Sequence, residues 1–142
     1  MARGIRASFL RPSLVVGVIY LALLVCYSVK YGYGAMDFVH LGTVWGAHDP
    51  AGTWGYDGQF YYQIARDPFN AYQFMDNAPY RYQRMLYPLV ARLVALGRAS
   101  FIPYALLLVN FLSIVGGVEL LSALLREHSL SPWYSLAYGL YF

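Results

Sequence analysis

Two long apolar runs limit what this chain can fold into. The first, residues 13–29, carries no charged residue, and the second, residues 103–125, carries only Glu119. Each is long enough to cross a hydrocarbon layer of ~30 Å, and neither shows the alternation of a soluble amphipathic element. The composition agrees, since 59% of the residues are apolar and 12% are charged, well off the average of soluble domains. The sequence therefore predicts an all-α polytopic membrane protein.

The basic residues near the N-terminus predict the orientation of the first run. Arg3, Arg6 and Arg11 all precede it, which is positive-inside patterning rather than the basic patch of a nucleic-acid-binding protein. We therefore expect no nucleic-acid partner and a cytoplasmic N-terminus. A cleaved signal peptide is the competing interpretation, but the second apolar run favours an uncleaved anchor. The single cysteine, Cys26, lies inside the first run and excludes an internal disulfide.

The pattern of apolar and polar stretches divides the chain into segments. A last apolar aromatic stretch begins after a polar turn and stops at the final residue, so we expect a truncated third span and a fragment of a longer protein. The predicted segments are a cytoplasmic N-terminus (1–12), transmembrane helix 1 (13–30), an extracytoplasmic loop (31–102), transmembrane helix 2 (103–125), a cytoplasmic turn (126–131) and the start of transmembrane helix 3 (132–142).

Two short helices are expected inside the loop, over residues 57–66 and 86–97. In the first, Asp57 suits the N-cap, Phe60 and Ile64 share a face, and Asp67 before a proline ends the run. The second is apolar around Arg92 but too short to span, which predicts a juxtamembrane helix in the outer interface. A tilted or re-entrant span is the alternative.

The loop is rich in aromatic residues. Eleven of them occur from Trp54 to Tyr87, and the loop holds all five aspartates of the chain. Tyrosine and tryptophan collect at membrane interfaces, which is one explanation. The other is a saccharide or prenyl-lipid site in which rings stack on the ligand and polar side chains bond it. The residues that favour binding are Tyr56, Gln59, Tyr61 and Tyr62.

Asp57 is the candidate catalytic residue. A carboxylate near a membrane surface and among aromatic rings can act as a general base toward an acceptor hydroxyl. The competing role is helix capping, which stabilises by about 1 kcal/mol and which spacing alone favours. Asp67 and Asp49 both precede prolines, so we interpret the first as a helix stop and the second as a turn residue.

Basic residues at the end of the loop are candidate phosphate ligands. Arg81 and Arg84 precede the juxtamembrane segment, and guanidinium groups match phosphate oxygens bidentately. Snorkelling toward lipid headgroups explains them equally well, and Arg92 invites the same two interpretations. His40 and His48 do not have a recognised metal-ligand spacing. The motifs therefore predict no metal site.

Two features of the second apolar run suggest contacts between helices. Glu119 has Ser122 and Arg126 on its face at i+3 and i+7, so pairing or a place in the bundle interior is expected. Asn110 and Ser113 form a second polar stripe of the kind that hydrogen-bonds neighbouring helices.

The string YDGQFYYQIARDPF followed by YRYQRMLYPLVA, together with the spans, resembles a known class. It is similar to bacterial mannosyltransferase-like and cell-surface glycopolymer formation proteins of the GT-C class of membrane glycosyltransferases. It more distantly resembles the second mannosyltransferase of GPI-anchor assembly, where a Trp-Asp pair precedes an aromatic helix ending in Ile-Ala. Here the pair is Tyr56-Asp57 and the end is Ile64-Ala65. The resemblance covers roughly residues 56–133.

The resemblance implies an inverting glycosyltransferase of the bacterial cytoplasmic membrane, with its functional loop on the extracytoplasmic side. Its partners would be a polyprenyl-phosphate sugar donor, a glycan or lipid-linked acceptor, and the bilayer. Asp57 would be the base, and Arg81 or Arg84 would neutralise the leaving phosphate. No Asp-x-Asp or Glu-x-Asp pair is present, so no motif supports a divalent metal, and the fragment alone is expected to be inactive. The alternative is a non-catalytic subunit or transporter of glycopolymer assembly that binds glycan or prenyl lipid.

Overall fold

The computed structural model describes residues 11–141. Within that range the chain forms helices and turns and contains no strand, as the all-α prediction requires. The α-helices are α1 (Pro12–Tyr31), α2 (Ala35–Val39), α3 (Thr43–Gly46), α4 (Gly58–Arg66), α5 (Ala78–Tyr82), α6 (Leu86–Val94), α7 (Ile102–Glu127) and α8 (Leu136–Gly139). Short 3-10 turns cover Ala71–Phe74, Ala99–Phe101 and Pro132–Ser135. Arg3 and Arg6, the first two of the predicted positive-inside arginines, lie outside the described residues.

Two of the described helices are long and apolar enough to cross a membrane. Helix α1 has 20 residues, and the segment Ala99–Glu127, which contains α7, has 29 residues. The most apolar 18-residue windows of the two have mean hydropathies of 2.2 and 2.0. Their apolar side chains are mostly exposed, since only 17% and 28% of the most apolar windows are buried. A core helix of a soluble protein would instead be largely covered.

The chain divides into two compact units. One holds the described residues up to Cys26 and from Phe111 onward, and the other is Tyr27–Asn110. In the first unit, Ser13 donates a hydrogen bond of 2.5 Å to Glu119, which also lies 3.3 Å from Arg126. The predicted pairing of Glu119 is therefore present. Ser122 instead contacts Ser135 at 2.8 Å.

The region predicted to begin a third span starts with the 3-10 turn Pro132–Ser135. It continues as α8, a single helical turn. Gly139 packs so close to Val16 and Val118 that a β-carbon would meet both side chains.

Helix α4 is the centre of the second unit. One of its faces packs Phe60 and Ile64 with Ala71 and Met75, as the predicted spacing of these apolar residues requires. Its opposite face packs in a second cluster, whose buried members are Val39, Tyr62, Ala65, Ala91, Ala95, Ile102, Ala105 and Leu106. Because both faces are covered, the orientation of α4 is fixed by the core on either side.

Helix α6 ends earlier than its apolar pattern suggests. The prediction ran to residue 97, but the helix stops at Val94 because Leu96 and Gly97 adopt positive φ angles of 52° and 71°. The Gly97 amide donates to the Arg92 carbonyl at 2.9 Å, a Schellman-type ending that satisfies a terminal carbonyl. An apolar run therefore continues past the end of the helix.

Candidate functional site

A cavity of about 460 Å³ opens within the second unit. That volume lies within the usual range of small-molecule sites, ~300–1,000 Å³. Most of its wall is apolar or aromatic, and its polar side chains are few. The lining residues are Ala35, Phe38, Val39, Gly58, Tyr61, Arg84, Tyr87, Pro103, Leu106, Leu107 and Asn110. Such a wall suits a ligand with an apolar part and an anionic group.

Asp57 directly precedes Gly58, a lining residue of the cavity. The Gly58 position brings α4 close to the end of α2, since a β-carbon there would lie 2.8 Å from the Val39 carbonyl oxygen. Asp57 occupies the N-cap position of α4, but its side chain makes no capping hydrogen bond. The capping interpretation is therefore wrong for the side chain, which is 60% exposed and forms an ion pair with Arg81, Nη1 to Oδ1, at 3.0 Å.

Arg81 is held by several partners at once. Its Nε and Nη2 donate to the two carboxylate oxygens of Asp76 at 2.8 and 2.7 Å, and its guanidinium lies 4.1 Å from the centre of the Phe60 ring. Only 11% of the Arg81 side chain is exposed. The bonds to Asp76 are the main reason that the pKa of Arg81 is raised, and the Arg81 hydrogen bonds lower the pKa of Asp76. Arg81 is therefore occupied by protein groups.

Arg84 is the arginine that lines the cavity. Its guanidinium contacts the hydroxyl of Tyr61 at 3.5 Å and donates to that of Tyr80 at 3.2 Å. Among the described residues it forms no ion pair with a carboxylate. The contact with Tyr61 raises its pKa, and the negative charge of Asp57 adds to the effect. Arg84 is thus a persistently charged group beside an apolar cavity.

Apart from Arg81, the predicted binding residues separate into three groups. Tyr61 and Arg84 line the cavity, whereas Gln59 and Tyr62 are buried, with 3% and 7% exposure. Both ends of the Gln59 side-chain amide bond to the loop before α4. Its oxygen accepts from the Gly42 amide at 3.1 Å, and its nitrogen donates to the Trp54 carbonyl at 2.7 Å. In this structure Gln59 and Tyr62 are therefore buried residues that do not line the cavity.

Tyr56 forms the third group on its own. It is 73% exposed, does not line the cavity and meets the His40 ring edge-on at 5.4 Å. Asp49 lies in a turn as predicted, since it accepts from the Ala51 amide at 3.1 Å, and Asp67 marks the predicted stop, because α4 ends at Arg66 with Asp67 as its C-cap residue.

Sequence reasoning missed several residues at the cavity. Tyr87 donates to the Leu106 carbonyl at 2.9 Å, and burial raises its pKa to about 12. Asn110, predicted to bond a neighbouring helix, lines the cavity instead. No local signal marks Tyr87, but the apolar periodicity of α7 places Asn110 one turn from Leu106 and Leu107.

Comparison with known proteins adds no assignment, because no protein-family model, no curated protein and no solved structure matches the chain. Among residues 11–141, no group of three or more histidine, cysteine, aspartate or glutamate side chains is arranged to hold a metal ion.

Proposed function

We propose that this chain belongs to an integral-membrane inverting glycosyltransferase that uses a polyprenyl-phosphate sugar donor. In this proposal the chain belongs to a multi-pass protein of the bacterial cytoplasmic membrane, with α1 and α7 as spans. The basic residues ahead of α1 keep the N-terminus cytoplasmic. The segment from α2 to α6 then lies on the extracytoplasmic side, where cell-surface glycopolymers are assembled.

One observation carries the proposal. An exposed carboxylate, Asp57, is adjacent in sequence to the wall of an apolar cavity that also presents the guanidinium of Arg84. The proposed transfer has three requirements that these features suit. The prenyl chain of the donor matches the apolar wall, the donor phosphate matches a guanidinium, and the hydroxyl of the separate acceptor must lose a proton to a base.

The proposed step is a single displacement at the anomeric carbon. Asp57 accepts the proton of the acceptor hydroxyl while the acceptor oxygen forms the new glycosidic bond from the face opposite the donor phosphate. The bond between the anomeric carbon and the phosphate oxygen breaks, and its electron pair leaves with the polyprenyl phosphate. Arg84 offsets the charge that collects on that phosphate, as preorganised cations do for developing negative charge.

The test is transfer of radiolabelled sugar in membranes that contain the protein expressed from its complete gene. Several polyprenyl-phosphate sugars serve as donors, and the wild type is compared with Asp57→Asn. Asp49→Asn is the matched control, because Asp49 is also an exposed loop aspartate but only closes a turn.

We expect transfer by the wild type and by Asp49→Asn, and a loss of at least ~10²-fold with Asp57→Asn, the low end for general base catalysis. Full activity of Asp57→Asn would remove Asp57 as the base. Donor binding without transfer by the wild type, with every donor, would instead support the non-catalytic subunit or transporter.

A further inference from the structure

Arg81 contacts its two carboxylate partners, Asp57 and Asp76, in different ways. Arg81 binds Asp76 through two parallel hydrogen bonds but meets Asp57 through Nη1 alone. Bidentate pairs between arginine and a carboxylate are the strongest and most directional of their kind. Asp76 therefore fixes the guanidinium, and the guanidinium in turn holds one oxygen of Asp57.

The surroundings of Arg81 restrain it further. The Phe60 ring lies 4.1 Å from the guanidinium carbon, and Phe60 itself is buried with 3% exposure. A cation on the face of a buried ring is stabilised there and cannot turn away without losing that contact. Asp76 also accepts from the Asn77 amide at 2.7 Å, which fixes its Oδ1 atom in the turn before α5.

We infer that Arg81 is a positioning residue, held by Asp76 and Phe60, that orients the Asp57 carboxylate for proton transfer and does not bind the donor phosphate. This inference rests on the proposed function. The sequence analysis left the donor phosphate to either Arg81 or Arg84. The inference assigns it to Arg84, because Arg84 lines the cavity and has no carboxylate partner among the described residues. Asp76 is then a positioning residue as well, because it acts on Asp57 through Arg81.

The local charges also favour Arg84 over Arg81 as the phosphate ligand. Asp57, Arg81 and Asp76 together carry one net negative charge, so a phosphate gains little from approaching them. Arg84 contributes a full positive charge on the cavity wall. The donor phosphate is thus drawn to Arg84, and Asp57 keeps Oδ2 for the acceptor proton, since Arg81 contacts its other oxygen, Oδ1.

The inference is tested by a kinetic cycle on the protein expressed from its complete gene. The variants are Asp76→Asn, Asp57→Asn and the double variant, with Arg84→Gln as the comparison, all assayed for kcat and donor KM in single- and multiple-turnover transfer. Asp76→Asn is expected to lower kcat by roughly 10-fold with an unchanged donor KM, because small misplacements of a catalytic group are costly. Arg84→Gln is expected to raise the donor KM.

The decisive result is the double variant. If Asp76 acts through Asp57, adding Asp76→Asn to Asp57→Asn lowers the residual rate no further, since groups that act as a unit are not additive. A further loss equal to that of the single Asp76→Asn change overturns the inference. Loss of donor affinity without loss of kcat in Asp76→Asn overturns it as well.

A second variant keeps the inference testable if the residual rate of Asp57→Asn lies below detection. Arg81→Lys keeps a cation but loses the paired bonds to Asp76, so it should retain a kcat above that of Arg81→Gln, with both donor KM values equal to wild type. Equal kcat values for the two substitutions would overturn a positioning role. Full activity of Asp57→Asn would instead refute the proposed function itself, so the two failures are distinguishable.

Discussion

The guanidinium of Arg92 in α6 donates to the carbonyl of Ala65 at the end of α4, with an Nη1 to O distance of 2.8 Å. The same nitrogen lies 2.6 Å from the Arg66 carbonyl. Carbonyls in the last turn of a helix have no partner within the helix, and a cation there also interacts favourably with the helix dipole. Arg92 is therefore an end cap for α4 supplied by a helix 26 residues further along the chain.

Replacing Arg92 should destabilise the protein through α4. We expect Arg92→Leu to lower the free energy of unfolding by about 1–2 kcal/mol, because hydrogen bonds to charged groups contribute that much. Arg98→Leu is the control, since Arg98 only lies 5.9 Å from the centre of the Phe101 ring. The measurement is denaturant unfolding of the detergent-solubilised protein. Equal losses for the two variants would contradict the capping role.

Gly42 is predicted to be irreplaceable in the loop before α4. A β-carbon at this position would overlap the backbone of Trp54, Thr53 and Gly55, although its φ of −96° suits any residue. Gly42→Ala should therefore destabilise by about 1–3 kcal/mol, as overpacking does. Gly46→Ala is the matched control, because nothing lies within 4 Å of a β-carbon there.

The measurement for this pair is the thermal unfolding midpoint of each variant. Gly46→Ala should leave the midpoint unchanged or raise it, since alanine favours the helical conformation of α3. A similar midpoint for the two variants would contradict the predicted overlap of a β-carbon at Gly42 with the backbone of Trp54 and Gly55.

We predict that deprotonation of Tyr87 destabilises the folded protein at alkaline pH. Burial raises its pKa from the ordinary 10.0 to about 12, so between these values the folded protein keeps a proton that the unfolded chain releases. Its contribution to stability is thus complete below pH 10 and is lost as the pH rises to about 12. Tyr87→Phe should cost about 1 kcal/mol at neutral pH through the lost bond to Leu106.

The measurement is the free energy of unfolding from pH 8 to pH 12 for the wild type and Tyr87→Phe. The difference between the two proteins should shrink across that range, because only the wild type loses the contribution of Tyr87. A constant difference would contradict burial of the hydroxyl.

Helices α1, α4, α6 and α7 were predicted because their signals are local, whereas the short loop helices α2, α3 and α5 were not predicted. Phe60 and Ile64 share a face by spacing alone, and a proline after Asp67 stops α4. The roles of Arg81 and Arg84 were not predictable, because the two residues are only three positions apart and both belong to the same aromatic stretch. They differ through Asp76 and Phe60 around one and the cavity around the other, which are contacts created by folding.

Gln59 shows the same limit. Its position among aromatic residues is typical of a binding surface. In the structure, however, both the oxygen and the nitrogen of its side-chain amide hydrogen-bond to the loop from Gly42 to Trp54. The N-cap position of Asp57 was predictable, but the partner of its side chain was not, since Arg81 lies 24 positions further along the chain. The positions of the predicted helices follow from signals within each helix, whereas the site depends on contacts between residues that are distant in the sequence.

The proposed membrane orientation predicts which residues a membrane-impermeant maleimide can label. Cys26, the single native cysteine, is first replaced by alanine. Phe69→Cys, at a position 88% exposed in the loop, should then be labelled in intact cells, whereas His128→Cys, just after α7, should be labelled only after the membrane is permeabilised. The reverse pattern would contradict the orientation.

In the proposed site, Arg84 on the cavity wall binds the donor phosphate and the carboxylate of Asp57 accepts the acceptor proton. The most direct measurement is donor binding and sugar transfer in the same membranes for Asp57→Asn and Arg84→Gln. We expect Asp57→Asn to bind the donor as the wild type does and to lose transfer, and Arg84→Gln to weaken binding by about 10-fold or more, as for a lost charged hydrogen bond. Unchanged binding in Arg84→Gln together with unchanged transfer in Asp57→Asn would contradict the proposed site.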